Sequence, residues 1–302
     1  MIRPPRLEPG ATIRIVAPSG PVPREPFLAG VAVLRARYDV RYDEGIFARD
    51  GYLAGPDDRR LAELTRALDD PDARALIMAR GGYGLLRLLP FVEPAALAGR
   101  PRTLVGFSDG TALLACAARA GVVSIHGPVV TQLGNLSTED QRALFDRLET
   151  PGPAPLLSEL EEVIPGRAQG RLLGGNLEVF SRLLGTPYLP DVEGAILFFE
   201  DLGERPYRLD RLITHLDLAG LFSAASAVVL GDFSSCHEPE PTRAESPTAD
   251  QVLVDRLGRL PVPVVRGGAF GHGTRNRALP YGALCELDTR SGTLTTLEGA
   301  VS

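Results

Sequence analysis

Thr103-Leu104-Val105-Gly106-Phe107-Ser108-Asp109-Gly110-Thr111-Ala112-Leu113-Leu114 changes character twice along its length. The apolar run from Thr103 to Phe107 predicts a buried strand. Thr111 to Ala120, small and apolar and closed by Gly121, predicts a helix. Between them, Gly106-Phe107-Ser108-Asp109-Gly110 fits the Gly-x-Ser-x-Gly pattern of a nucleophile elbow. A sharp strand-to-helix turn pushes a serine Oγ out at the carboxyl edge of a sheet, and small residues two positions to either side relieve the crowding. The helix N-terminus then offers unpaired N–H groups to a developing oxyanion. The competing reading is a glycine-rich turn in which Ser108 only caps the helix. The strand–turn–helix context favours the elbow.

The same alternation continues outward on both sides. Thr12 to Ala17 predicts a strand ending in Pro18-Ser19-Gly20, and Arg24 to Tyr38 a helix with Phe27, Val31, Leu34 and Tyr38 on one face. Asp57 to Leu68 predicts a second helix with Asp57 as its N-cap. Ala75 to Ala79 reads as a buried strand ended by Arg80-Gly81-Gly82-Tyr83-Gly84, and Val122 to Ile125 as one more strand. Repeated strand–helix units imply a doubly wound parallel sheet covered on both faces. At 302 residues, two domains are expected. The Pro/Gly-rich stretch 151–168 reads as the linker between a first domain at 1–150 and a second at 169–302.

Beyond the linker, strands and helices mix less regularly. Asn176 can cap a helix through Leu184, Ala195 to Phe199 forms a strand ending at Glu200, and Leu209, Leu212, Ile213 and Leu216 mark a helix. Ala227 to Leu230 and Val262 to Val265 are strands, and Gln251 to Leu260 a helix. Phe233 to Thr248 reads as an exposed loop, a candidate gate for the site. Leu284 to Asp288 and Thr293 to Leu297 predict a hairpin around Arg290-Ser291-Gly292. This is the pattern of a β-rich α+β or barrel-like unit.

Composition narrows the chemistry. All 32 basic residues are arginine, against 38 acidic residues, for a net charge of −6. Without lysine there is no Schiff-base enzyme, no P-loop and no Ser–Lys dyad. An acidic chain is a poor partner for nucleic acid or an anionic membrane. Cys116, Cys236 and Cys285 stand far apart with no zinc spacing, as in a reduced cytosolic protein. The N-terminus lacks the apolar core of a signal peptide, and no apolar run approaches the ~20 residues a membrane span needs. The expected location is the cytoplasm, and the residues call for neither metal nor cofactor.

A serine nucleophile therefore needs histidine as its base. His215 faces the side of its helix shared with Arg208 and Arg211, and His237 sits in the Pro/Glu-rich loop, so both read as surface residues. His126, at the end of a strand, and His272, displayed in Gly267-Gly268-Ala269-Phe270-Gly271-His272-Gly273, remain as candidates. A carboxylate must orient the imidazole. Glu200, closing an apolar strand, is the expected one, unless it pairs with Arg205, Arg208 or Arg211. Strand alternation sends Asp201 to the opposite face. Arginine must also read the carboxylate of any peptide terminus, and Arg80 is the nearest candidate by sequence.

The chain resembles the LD-carboxypeptidases, serine peptidase family S66. The shared motifs are Ala79-Arg80-Gly81-Gly82-Tyr83-Gly84, Gly106-Phe107-Ser108-Asp109, His126-Gly127-Pro128, Gly174-Gly175-Asn176-Leu177, Phe199-Glu200-Asp201 with Tyr207, Asp210 and Arg211, and Gly271-His272 with Pro280 and Gly282. They run in family order through nearly the whole chain. The resemblance implies a Rossmann-like first domain, a smaller β-rich second domain and a Ser108–Glu200–His272 triad, which selects His272 over His126. The expected oxyanion hole is the backbone N–H of Asp109 with that of Gly82. The resemblance also implies a cytoplasmic homodimer of peptidoglycan recycling. Its substrate would be the murein tetrapeptide L-Ala–γ-D-Glu–diaminopimelate–D-Ala, cut at the L,D bond that holds the terminal D-alanine.

Three alternatives carry less. Microcin C immunity-type peptidases, which cleave peptidyl or aminoacyl nucleotide analogues, share the resemblance but use an aromatic platform, and this chain has no tryptophan. A simple esterase would call for a His-Gly-Gly-Gly type loop. A non-enzymatic nucleotide- or sugar-binding module has only the Gly81-Gly82-Tyr83-Gly84 and Gly174-Gly175 clusters in its favour, and neither has dinucleotide spacing.

Overall fold

The computed structural model of the chain describes residues 1–239 and 246–302. Five parallel strands lie at the centre of the first sheet: β1 (Thr12–Val16), β2 (Asp39–Arg41), β3 (Ala73–Met78), β4 (Thr103–Gly106) and β5 (Ser124–His126). Their spatial order is β5-β4-β3-β1-β2. The chain therefore reverses direction across the sheet between β1 and β3, the place where doubly wound α/β folds open a crevice at the carboxyl ends of their strands. The carboxyl-terminal parts of the central strands are apolar, as burial on both faces requires: Ile15 and Val16 of β1 and Ala75, Leu76, Ile77 and Met78 of β3 are all buried.

The second sheet is built from β6 (Ala154–Leu157), β7 (Glu161–Ile164), β8 (Arg167–Asn176), β9 (Ile196–Leu202), β10 (Ala227–Ser234) and β11 (Val264–Arg266), with β13 (Leu284–Asp288) and β14 (Thr293–Thr296) as the expected hairpin. Its order is β6-β14-β13-β8-β9-β10-β11-β7. β8 serves two neighbours in turn: residues 167–171 pair antiparallel with β13, and 172–176 pair parallel with β9.

Several boundaries differ from the sequence reading. The stretch 151–168 is no free linker, because β6 and β7 lie within it and form the two edges of the second sheet. Edge strands tolerate proline, since one side of the ladder is unpaired, and Pro155 sits in β6. The prolines and glycines there punctuate strands rather than replace them. Asp57 is not an N-cap; it is the first residue of helix Asp57–Asp69 and pairs with Arg60 and Arg87. β10 continues to Ser234, so the expected 233–248 loop starts later, and its part at 240–245 lies outside the described residues. Finally, β12 (Leu279–Tyr281), far along the chain, returns to the first sheet and pairs antiparallel with β5.

Helix Thr111–Arg119 joins the two halves. Its residues Thr111 to Ala117 are all buried, and it packs on β4, β5 and β8. Such a helix must be apolar all round, and its alanines let both sheets approach. Asn176, at the end of β8, donates its backbone N–H to Thr111 Oγ1 at 3.0 Å. The N-terminus of this helix therefore faces the carboxyl ends of β8 and β9. No helix among the described residues is long and apolar enough to cross a membrane.

Candidate active site

Ser108 sits where β4 turns into a short 3-10 turn, Ser108–Gly110, ahead of that central helix. Its φ of 59° is left-handed, a conformation that non-glycine residues adopt at a cost and that positions an elbow serine. Gly106 and Gly110 are small for a visible reason: Met78 fills the space under the turn, and a Cβ on either glycine would meet its Sδ at 2.9 or 2.7 Å. Ser108 itself is half-buried.

Three loops from the ends of β1, β3 and β4 are stapled together beneath it. The buried Asp109 carboxylate accepts from Ser19 Oγ at 2.6 Å and from the Leu85 N–H at 2.9 Å. Burial raises the Asp109 pKa, and these two bonds oppose that shift. The fully buried Arg60 guanidinium donates to the carbonyls of Pro18 and Gly84, the latter at 3.1 Å. Gly20 N–H donates to Gly81 O at 3.0 Å, which sets the Gly81 main chain against Ser108. Sequence reasoning missed Arg60 and the Asp109 side chain. Arg60 carried one sequence signal, a charge spaced four residues before Leu64 on the core face of its helix, and the Asp109 side chain carried none.

β9 and the loop after β11 bring the other two residues. Glu200 is fully buried, and its Oε2 lies 2.6 Å from His272 Nδ1. Burial pushes the Glu200 carboxyl up, and the adjacent His272 ring is the main opposing influence. Strand alternation holds: Asp201 turns away to accept from Asn176 Nδ2 (3.0 Å) and the N–H groups of Glu178 and Leu202. Burial still pushes Asp201 up to about 7. The arginines that might have neutralised Glu200 are engaged elsewhere, Arg205 with Glu238, Arg208 with Glu204, and Arg211 over the Tyr207 ring.

His272 is flanked by glycines because Asp232 leaves no room. A Cβ on Gly271 would lie 3.0 Å from Asp232 Cβ, and one on Gly273 3.0 Å from its carboxylate oxygens. The loop is anchored to both halves of the molecule. Phe270 O accepts from the Asp232 N–H at 2.9 Å, and Arg275 chelates the buried Asp140 carboxylate of helix Thr138–Glu149 at 2.8–3.0 Å. The His272 ring packs on Phe107, the residue before Ser108, at 4.3 Å between centroids.

His126 is not at the cleft. It is fully buried behind Phe107, ringed edge-on by Phe107, Phe198 and Phe270, with neither nitrogen hydrogen-bonded. Burial drives its pKa down to about 3, so it is neutral. His215 and His237 are exposed, as expected. Gly174 and Gly175 are packing residues rather than a phosphate cradle: a Cβ on them would strike Phe198 O at 1.9 Å and Thr111 Oγ1 at 2.5 Å.

Ser108, His272, Arg80 and Gly82 line one cleft of about 400 Å³, whose far wall carries Glu178 and Asp201. Arg80 is exposed at its mouth and donates to Pro21 O at 2.6 Å. The arrangement thus presents a half-buried serine in the cleft, an imidazole backed by a buried carboxylate, and a glycine loop against the serine.

Residues 13–127 match the LD-carboxypeptidase N-terminal domain, and residues 169–287 the LD-carboxypeptidase C-terminal domain. A putative carboxypeptidase of Synechocystis is 39% identical over 298 residues, covering 98% of this chain and 97% of that protein. The murein tetrapeptide carboxypeptidase of Pseudomonas aeruginosa is 33% identical over 288 residues, with 91% and 92% covered. Among solved structures, the muramoyltetrapeptide carboxypeptidase from Oxalobacter formigenes superposes with a TM-score of 0.84 at 30% identity, covering 96% of this chain and 99% of that one. The microcin C7 self-immunity protein MccF shares the fold along its full length, with a TM-score of 0.90 at 22% identity and 100% of both chains covered.

Proposed function

The chain belongs to the LD-carboxypeptidase family, and on that premise we propose that it is a serine carboxypeptidase releasing the terminal D-alanine of murein tetrapeptide. The observation that carries this reading is the 2.6 Å contact between His272 and buried Glu200 in the cleft that also exposes Ser108. Ser108 Oγ attacks the carbonyl of the L,D bond and its proton passes to His272 Nε2. Glu200 fixes the ring through Nδ1 and stabilises the imidazolium. His272 then protonates the departing D-alanine amine, and water, activated by the same ring, hydrolyses the acyl-enzyme.

The backbone N–H groups of Asp109 and Gly82 take the oxyanion. The Ser19–Asp109 bond and the Arg60 contacts to Pro18 and Gly84 hold those loops in place before substrate arrives, which is where such donors gain their effect. Arg80, at the mouth, binds a carboxylate of the peptide through its planar fork. The family resemblance supports a cytoplasmic homodimer, and sedimentation would read the oligomeric state.

The test is selectivity. Murein tetrapeptide, its diastereomer ending in L-alanine, and an aminoacyl sulfamoyl-adenylate are offered separately. Cleavage of the first alone supports the proposal; cleavage of the sulfamoyl-adenylate alone overturns it.

A further inference from the structure

Beside the cleft lies a second pocket of about 610 Å³, bounded by the loop after β1, the segment around Phe47–Tyr52 and the Arg80–Tyr83 loop. Arg80 and Gly82 line both spaces, so the two share a wall. The pocket has two unusual properties. No acidic residue lines it, although the chain carries a net charge of −6. Arg49 and Arg80 face it, their guanidinium groups bound to the backbone carbonyls of Gly51 (3.2 Å) and Pro21, and neither has a carboxylate partner among the described residues. Most arginines elsewhere on this surface are ion-paired, such as Arg37 with Glu149 and Arg266 with Asp250.

The second property is an aromatic face left open. Tyr52 and Tyr83 are 66% and 47% exposed, and their rings meet at 5.6 Å in an edge contact. Exposed aromatic area beside a catalytic cleft, with cations at hand and no anion, is a surface arranged for an anionic ligand with hydrocarbon to cover. The acidic residues of the neighbouring cleft are already engaged, Glu178 with Arg182, Glu204 with Arg208 and Asp201 with Asn176.

Resting on the carboxypeptidase reading above, we propose that this pocket is the subsite for the N-terminal, acidic half of the peptide, with Arg49 pairing to the free α-carboxylate of the γ-linked glutamate. That carboxylate lies one residue before diaminopimelate. An extended chain advances about 3.4 Å per residue, and the residues that precede a scissile carbonyl at Ser108 run along the Gly82 wall that the cleft and the pocket share. The tyrosine pair covers the hydrocarbon of that segment. A leaving D-alanine, by contrast, is far too small to account for such a pocket.

The test crosses variants with substrates: the tetrapeptide, the same peptide with that glutamate carboxylate amidated, and the dipeptide diaminopimelate–D-Ala. The wild-type protein is expected to show a kcat/KM roughly 10-fold or more higher on the tetrapeptide than on the other two, the scale of one hydrogen-bonded charge pair. Arg49→Gln removes the preference over the amidated peptide and leaves the amidated peptide and the dipeptide unchanged. Tyr52→Ala with Tyr83→Ala lowers both longer peptides and spares the dipeptide. Equal losses on all three substrates, or no wild-type preference, overturn the subsite. Failure of the wild-type protein to cleave any of the three overturns the carboxypeptidase reading and the subsite with it.

Discussion

A Cβ added to Gly81 would lie 2.6 Å from Ser108 Cβ and 2.9 Å from Ser108 Oγ. The loop after β3 and the serine after β4 are thus in contact at a distance that only glycine permits. Gly81→Ala forces either the loop or the serine to move. Because oxyanion donors act only when aimed at the reacting oxygen, turnover is expected to fall about 100-fold or more. The thermal midpoint should drop modestly, as for an overpacked site. Steady-state kinetics beside a melting curve check this, and parent-level turnover in a folded Gly81→Ala protein would contradict it.

Glu200 holds His272 from a position with no solvent. Glu200→Gln keeps the shape and loses the charge that supports an imidazolium, and its amide can hold the wrong ring tautomer. A kcat loss of about 10⁴-fold with KM little changed is expected, the scale seen when the acid of a serine triad is neutralised. A loss of only a few-fold would remove Glu200 from the mechanism.

His126 gives a pH prediction whose sign follows from its burial. Its pKa falls from 6.5 to about 3 in the fold, so the native ring stays neutral while the unfolded chain takes up a proton below pH 6.5. The stabilisation is complete above pH 6.5 and is lost as pH falls toward 3, at about 1.4 kcal/mol per unit. His126→Phe, in a pocket already lined by Phe107, Phe198 and Phe270, removes this dependence. Between pH 7 and 4.5 the parent should lose about 2–3 kcal/mol more than the variant in denaturant titrations. Parallel losses would show that His126 is not buried as a neutral ring.

Much of this architecture was readable from local pattern. The strand–turn–helix around Ser108 and the alternating units before it follow from periodicity and glycine placement, which act over a few residues. So does the cap at Asn176, whose Oδ1 accepts from the Val179 N–H at 3.1 Å. The pairing of Glu200 with His272 crosses 72 positions. Periodicity left His126 and His272 open as bases, and only the family resemblance separated them. Contacts set by tertiary packing were not readable. β12 carries no local sign that it will join β5 rather than its own neighbours, and β6 and β7 hide in a stretch whose prolines mimic a linker. A hydropathy reading leaves the charged Arg60 and Asp109 outside the core, yet together they tie three loops beneath Ser108.

The central claim, that Ser108 cleaves the L,D bond of a murein peptide, is tested most directly by following free D-alanine from murein tetrapeptide with the parent protein and with Ser108→Ala. The account predicts steady release by the parent, and loss of all but a residual fraction, about 10⁻³ or less, in the variant. Release by Ser108→Ala at the parent rate, or no release by the parent, would contradict it.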